Sequence, residues 1–316
     1  LQLFLYSLEN DGVTRGSRGT ERTGVREHVR PSITRAEEVV ANASGENFPV
    51  ALRVLPREHR RHLTALYCFA RLTDDLGDEA RADDPQTETA GLRLRLLDEF
   101  AADVDRIYAG DTPESPVMQA MAVTVRERGI PAQPLLDLIQ ANREDQQVTR
   151  YPTFAELARY CELSANPVGQ IVLYIFGAAT PERIRLSDSI CTALQLAEHW
   201  QDVAEDLGQG RIYLPAEDLD RHGCTEADLA EPTAAPAVRQ LMRFEVDRAA
   251  RLLDEGAPLV GTLRGAARLA VAGYLAGGRA ALAAIRAQRY DVLSRTAKPR
   301  KPRMAVELVK AYARGR

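Results

Sequence analysis

Apolar residues return along most of this chain at intervals of three and four, the period of one buried face of an α-helix. Leu63, Leu66, Tyr67 and Ala70 follow Pro56, a residue suited to a first helical turn, and predict a helix that ends in an acidic run. Leu92, Leu96, Phe100, Val104 and Ile107 mark a second core stripe, opened by Asp83-Asp84-Pro85. A third helix is expected from Pro116 to Arg128, stopped by Gly129 and Pro131, and a fourth from Pro134 to Gln147 with Leu135, Leu138, Ile139 and Asn142 on one side. Thr153-Phe-Ala-Glu156 has the form of a capping box and starts a helix that runs through Tyr160. Small residues and a proline, Ser164 to Gly169, interrupt it, either to let helices approach closely or to leave room for a ligand. Ser187 or Asp188 is expected to cap the next helix, which carries Asp202 and Asp206. Residues 236–255 and 257–290 predict two more long helices, the second with Gly273, Gly277 and Gly278 where it kinks or packs closely. No stretch alternates as a strand does, and no period of roughly 20 to 50 residues recurs. The expected fold is all-α, a single large helical bundle.

The ends differ from this middle. Residues 1–33 are poor in apolar side chains and studded with Arg15, Arg18, Arg22, Arg26 and Arg30, the texture of a poorly ordered leader. A short helix and a turn-rich loop, Ser44 to Pro49, are expected between it and Pro56. Residues 34–292 read as the helical domain, and 293–316 as a basic C-terminal segment with Glu307 as its one acid. Such a segment either keeps the chain soluble or contacts anionic lipid headgroups at the inner face of a membrane. His59 and His62 lie among arginines and read as part of a solvated basic face rather than as ligands.

Composition narrows the function classes. A hydrophobic share of 45% with 27% charged residues describes a globular chain, and a net charge of −4 gives no reason to expect nucleic acid. Cys68, Cys161, Cys191 and Cys224 are too far apart for a zinc motif or a disulfide framework, which suits a reducing cytoplasm. No run reaches the roughly 18 to 20 apolar residues that span a bilayer. The nearest, Val168 to Ala179, is short and carries Gln170, and Leu1 to Tyr6 lacks the basic start of a secretory signal.

The candidate chemistry lies in two acidic stretches. Tyr67-Cys-Phe-Ala-Arg-Leu-Thr-Asp-Asp-Leu-Gly-Asp-Glu79 places Asp74, Asp75, Asp78 and Glu79 within one and a half helical turns, with Asp74 and Asp78 on one face. Alone this is either a solvated acidic helix end or an oxygen-only site for a hard cation such as Mg²⁺. Asp202 and Asp206, again four apart, offer a second such pair able to face the first across a cavity. Arg211, among the glycines of the following loop, has the reach to meet a phosphate, although an exposed arginine needs no function.

Together, Tyr-x-Phe-x-Arg-x-x-Asp-Asp-x-x-Asp-Glu, Gln-Leu-x-x-x-x-x-Asp-x-x-x-Asp and Gly-Arg-x-Tyr-Leu-Pro resemble the squalene and phytoene synthase family of trans-isoprenyl diphosphate synthases over roughly residues 40 to 290. The resemblance implies an isoprenoid-synthase bundle around a central cavity, a prenyl diphosphate substrate and several Mg²⁺ ions. It implies that Asp74, Asp75, Asp78, Asp202 and Asp206 hold the metal, and that Arg71, Arg211 and Tyr213 stand near the diphosphate. It places Phe48, Tyr67, Tyr160, Ser164, Asn166, Gly169, Gln195, Glu198 and Gln201 near the substrate, with the prenyl chains passing the helix break at 164–169.

Departures from the pattern refine that reading. Glu198 and Gln201 stand where many squalene and phytoene synthases have Asn and Arg, and Gly278 where some have tyrosine. The wider texture, Glu46-Asn-Phe-Pro-Val50, Ser164-Ala-Asn-Pro-Val-Gly169 and His199-Trp-Gln-Asp202, is most similar to the bacterial hopanoid-pathway hydroxysqualene synthases. That subgroup converts presqualene diphosphate without NADPH and implies a partner enzyme that makes presqualene diphosphate. Glu198, His199 and Gln201 then read as a polar group able to hold a water, with a helix surface as the other reading of His199. Head-to-head condensation of farnesyl or geranylgeranyl diphosphates is the alternative. A helical assembly factor without chemistry is a third reading, against which the retained, mutually repelling carboxylates argue.

Overall fold

A computed structural model describes residues 55–78 and 86–314, and the expectations for the leader, the Ser44 to Pro49 loop, Phe48, Glu79 and Asp83 to Pro85 lie outside these residues. The long helices are α1 (Arg57–Asp78), α2 (Gln86–Ala109), α3 (Pro116–Arg128), α4 (Gln133–Glu144), α5 (Phe154–Ser164), α6 (Asn166–Ile175) and α7 (Pro181–Gln201). They are followed by the short α8 (Val203–Gly208), α9 (Ala216–Arg221) and α10 (Glu226–Leu229), then α11 (Pro236–Gly256), α12 (Leu259–Thr262), α13 (Gly265–Ala287) and α14 (Lys301–Arg314). Among the described residues there is no strand, and one isolated bridge pairs Arg150 with Ile212.

The apolar stripes form two adjoining cores. One gathers α1 to α4 with one side of α6, around Phe69, Leu72, Leu97, Met118, Met121 and Ile139. The other gathers α5, α7, α11 and α13 around Trp200, Leu196, Met242 and Leu275. Phe176 and Tyr274 touch both. Helix α7 is the axis of the second core, and its longest contact is with α11.

Local signals explain most boundaries. Thr153 accepts from the Glu156 amide while Glu156 accepts from the Thr153 amide, the expected capping box. Gly129 ends α3 at φ 63°, a conformation that a Cβ would strain. Elsewhere tertiary packing moved the expected positions. Helix α7 begins six residues before Ser187: Thr180 caps it by accepting from the Arg183 amide, Ser187 is buried, and Asp188 accepts from Gln170 at 3.1 Å. Residues 257–290 form two helices, because Leu263 and Arg264 turn extended between α12 and α13. The stripe on α2 is rotated at its start, with Leu97 buried and Leu92 43% exposed. His62 is not on a solvated face: its Nδ1 lies 3.0 Å from Thr124 Oγ1 in the core, and half-buried His59 meets Phe176.

Close helix approach depends on glycine at α7. A Cβ on Gly256 would sit 2.6 Å from the Leu186 carbonyl oxygen and 2.5 Å from Ile190 Cγ1, whereas one on Gly273 would meet nothing. Gly256→Ala is therefore expected to cost about 1–3 kcal/mol by overpacking. Gly273→Ala should gain about 0.5–1 kcal/mol through helix propensity. Thermal melts of the two variants, moving in opposite directions by about 2–4 °C per kcal/mol, check the packing.

Candidate active site

The first acidic stretch occupies the C-terminal end of α1, whose last turn carries no basic residue. Carboxylates there face the negative end of the helix dipole, so local folding disfavours them. Arg71 Nε stands 3.0 Å from Asp75 Oδ1, one turn away on the same helix. Asp74 accepts from Asn142 Nδ2 at 3.3 Å. Gly77 makes that approach possible, because a Cβ there would lie 2.5 Å from Asn142 Oδ1. The Gly77 carbonyl in turn accepts from Gln146 Nε2 at 3.0 Å. Tyr67 is half-buried one turn before Arg71, and the Asp78 side chain lies outside the described residues.

The second stretch is not one continuous helix. Helix α7 ends at Gln201, Asp202 turns out of helical geometry at φ −110° and ψ 16°, and α8 resumes at Val203. The Asp206 amide still donates to the Asp202 carbonyl at 2.8 Å, so the two carboxyls remain one turn apart. Burial, then the charges of Glu198 and Glu205, pushes Asp202 up to about 7, against the pull of Lys298. Burial, then Asp202 and Glu198, pushes Asp206 up to about 7, against the pull of Arg211.

Aromatic residues wall this acidic pair. His199, buried, stacks on Tyr213 with ring centres 3.6 Å apart, and its Nδ1 lies 4.0 Å from Asp206 Oδ2. Its Nε2 lies 3.2 Å from Gln195 Nε2. Burial, then Arg211, holds the imidazole well below its usual range, so it is neutral at pH 7. Tyr160 donates to Asp145 Oδ2 at 2.8 Å, and Tyr151 packs on both Tyr160 and Tyr213. Burial and then the Asp145 charge push all three phenols upward, leaving them neutral donors. Arg211 Nη2 donates to the Asp145 carbonyl at 3.2 Å.

The end of α4 thus ties the two acidic stretches together, through Asn142 to Asp74 and through Asp145 to Tyr160 and Arg211. Asn142, Asp145, Tyr151 and Gly77 had not been read as site residues. Asn142 did interrupt an apolar stripe, which was the available signal. The helix break at 164–169 sits farther along α7. Gly169 lies where a Cβ would be 2.4 Å from both Ser187 Oγ and Cys191 Sγ, so close packing is one purpose of this break. Asn166 accepts from Thr192 at 3.0 Å, and Ser164 Oγ is buried without a hydrogen-bond partner among the described residues. Gln201 does not join Glu198 and His199, because its amide donates to the Ala297 carbonyl.

Oxygen is the donor a hard divalent cation takes, although among the described residues no three His, Cys, Asp or Glu side chains stand together as a ligand set. All the acidic groups offer oxygen, and they are numerous enough that burial and mutual repulsion leave Asp202 and Asp206 near neutrality without such a cation.

Comparison with known proteins identifies the family. The profile of the squalene/phytoene synthase family matches residues 41–303. A hydroxysqualene synthase from Rhodopseudomonas palustris is 34% identical over 220 residues, covering 69% of this chain and 72% of its own. A 15-cis-phytoene synthase from Synechocystis is 30% identical over 298 residues, covering 90% of this chain and 86% of its own. The crystal structure of squalene synthase HpnC from Alicyclobacillus acidocaldarius superposes with a TM-score of 0.73 at 40% identity, over 83% of this chain and 95% of its own.

The raised acids give a signed pH dependence. Carboxyls ionise at about 4 in an unfolded chain. Asp202 and Asp206 do so at about 7 when folded, so their contribution to stability is lost as pH rises through 7. Without divalent metal, the melting temperature should fall between about pH 5.5 and 8, and Asp206→Asn should flatten that fall. Added Mg²⁺ should raise the melting temperature at about pH 8 much more than at about pH 5.5. Thermal melts across this range, with and without metal, check both signs.

Proposed function

Because the chain belongs to the squalene/phytoene synthase family, with residues 41–303 matched, we propose that it converts presqualene diphosphate and water to hydroxysqualene and diphosphate. The supporting observation is the half-buried Asp202–Asp206 pair beside Arg211 and neutral aromatic walls, in a chain similar to two hydroxysqualene synthases at 34% and 33% identity. Glu198 and Gln201, which stand where condensing relatives have Asn and Arg, favour the same choice. The partner implied is an enzyme that supplies presqualene diphosphate, and the four free thiols suit the reducing cytoplasm.

In this reading Asp74, Asp75, Asp78, Asp202 and Asp206 would hold Mg²⁺. When bound, the metal supplies Lewis-acid neutralisation of the departing diphosphate. Arg211 adds a fixed positive charge to the same end of the site, its backbone partner at Asp145 limiting where it reaches. The carbon–oxygen bond at the cyclopropylcarbinyl carbon breaks with its electron pair on diphosphate, and the cation left behind rearranges by breaking and forming ring carbon–carbon bonds to give an allylic cation. Water forms the new carbon–oxygen bond and loses a proton, so no hydride donor such as NADPH is consumed. Tyr213 and Tyr160 present neutral faces that tolerate the cation, because neither phenol ionises near pH 7. The resemblance would take the prenyl chains past the break at 164–169, where Gly169 packs against Ser187 and Cys191.

Head-to-head condensation of two prenyl diphosphates is the second reading. The phytoene synthase of Synechocystis favours it by matching across 90% of this chain.

Two outcomes test the proposal. Asp74→Ala or Asp202→Ala should abolish turnover while the helical circular dichroism spectrum stays intact, and excess chelator should do the same to the unaltered enzyme. Presqualene diphosphate supplied with Mg²⁺ in ¹⁸O-enriched water should yield labelled alcohol without NADPH. Squalene formed only with NADPH, or ready condensation of farnesyl diphosphate alone, would select the second reading.

A further inference from the structure

Helix α14 presents an apolar face to solvent. It packs on α13 through Leu308 and Ala311, with Glu307 buried beneath it between Arg303 at 3.2 Å and Lys310 at 3.1 Å. At 100° per residue, the opposite face is formed by Ala305, Val306, Val309 and Ala313. All four are exposed, Val306 by 48% and Val309 by 69%. Val309 also borders an apolar groove with Leu269, Leu308 and Tyr312. An ordinary surface helix places its charges at the centre of the solvent face. Here they stand at the edges: Arg303 and Lys310 on one side, Lys301 on the other, and the Arg268 guanidinium 4.4 Å over the Tyr312 ring.

We propose that α14 docks this chain on an anionic bilayer surface. Val306 and Val309 enter the boundary between headgroups and acyl chains, and the flanking basic residues meet lipid phosphates. Charge decides the occupant. Between Arg295 and Lys310 the exposed charges are all basic, because the one acid, Glu307, is turned inward and paired. A two-fold contact with a second copy of the chain would set these basic edges against each other, and the exposed acid that shares a groove with Arg303, Asp254, is already paired with Arg279. An anionic lipid surface satisfies both the apolar ridge and its rims. The inference does not depend on which diphosphate the active site takes.

The test is co-sedimentation of the full chain with phosphatidylcholine vesicles, with and without phosphatidylglycerol. Binding should require the anionic lipid and weaken with salt. The doubly substituted Val306→Asp, Val309→Asp chain should partition about tenfold less, because each change removes apolar insertion and adds a repelled charge. Both positions are exposed, so its melting temperature and turnover on soluble substrate should be unchanged. Lys310→Gln should give a smaller loss that disappears in high salt. Equal binding by the doubly substituted chain would overturn the proposal, as would equal binding to neutral vesicles. A dimer in analytical ultracentrifugation that the same substitutions dissociate, without vesicle binding, would assign the face to a second copy instead.

Discussion

Burial of the Asp202 and Asp206 carboxyls, sharpened by the charge of Glu198 and, at Asp206, by that of Asp202, is the constraint around which the centre of this protein is arranged. Asp202 stands at the C-terminal end of α7, whose dipole disfavours negative charge, and Asp206 in the first turn of the short α8. A folded chain retains such a cluster only if surrounding contacts hold the groups in place against their own electrostatics. Those contacts are mostly neutral: the stacked ring of His199, the phenols of Tyr160 and Tyr213, and backbone groups. Arg211 and Lys298 are the nearby cations, and Arg211 also donates to the Asp145 carbonyl.

Helix α4 gives this arrangement its geometry. Its end supplies Asn142 to the first acidic stretch and Asp145 to the second, so a displacement of one is transmitted to the other through a single helix terminus. Gln146 extends the same tie by bonding the Gly77 carbonyl while accepting from Arg93 on α2 at 3.0 Å. Side chains that never need to touch substrate therefore set the spacing of those that would.

The C-terminal segment is continuous with this centre. Gln201, immediately before Asp202, donates to the Ala297 carbonyl, and Lys298 is close enough to lower the Asp202 carboxyl. From there the chain enters α14, whose inner face is fixed to α13 and whose outer face is apolar. A surface held by α14 is thus connected through a few residues to the acidic pair.

The sequence by itself determined the helical period, the all-α architecture, the capping box at Thr153 and the two acidic motifs with their family. These are local: propensity, spacing and charge act within one or two turns. It did not show that α7 starts at Pro181 under a Thr180 cap, that His62 is buried or that Gln201 leaves the polar group beside Asp202. Those outcomes depend on which elements meet, since a neighbouring helix can bury a histidine or offer a carbonyl that no local pattern announces. Asn142 and Asp145 are the clearest case. In sequence they are a polar interruption and a helix end, and only the approach of α1, α5 and the loop after α8 turns them into the tie between the two acidic stretches. Glycines divide in the same way: Gly129 was legible as a helix stop, whereas the need for Gly77 and Gly256 appears only when Asn142 and Leu186 are in place.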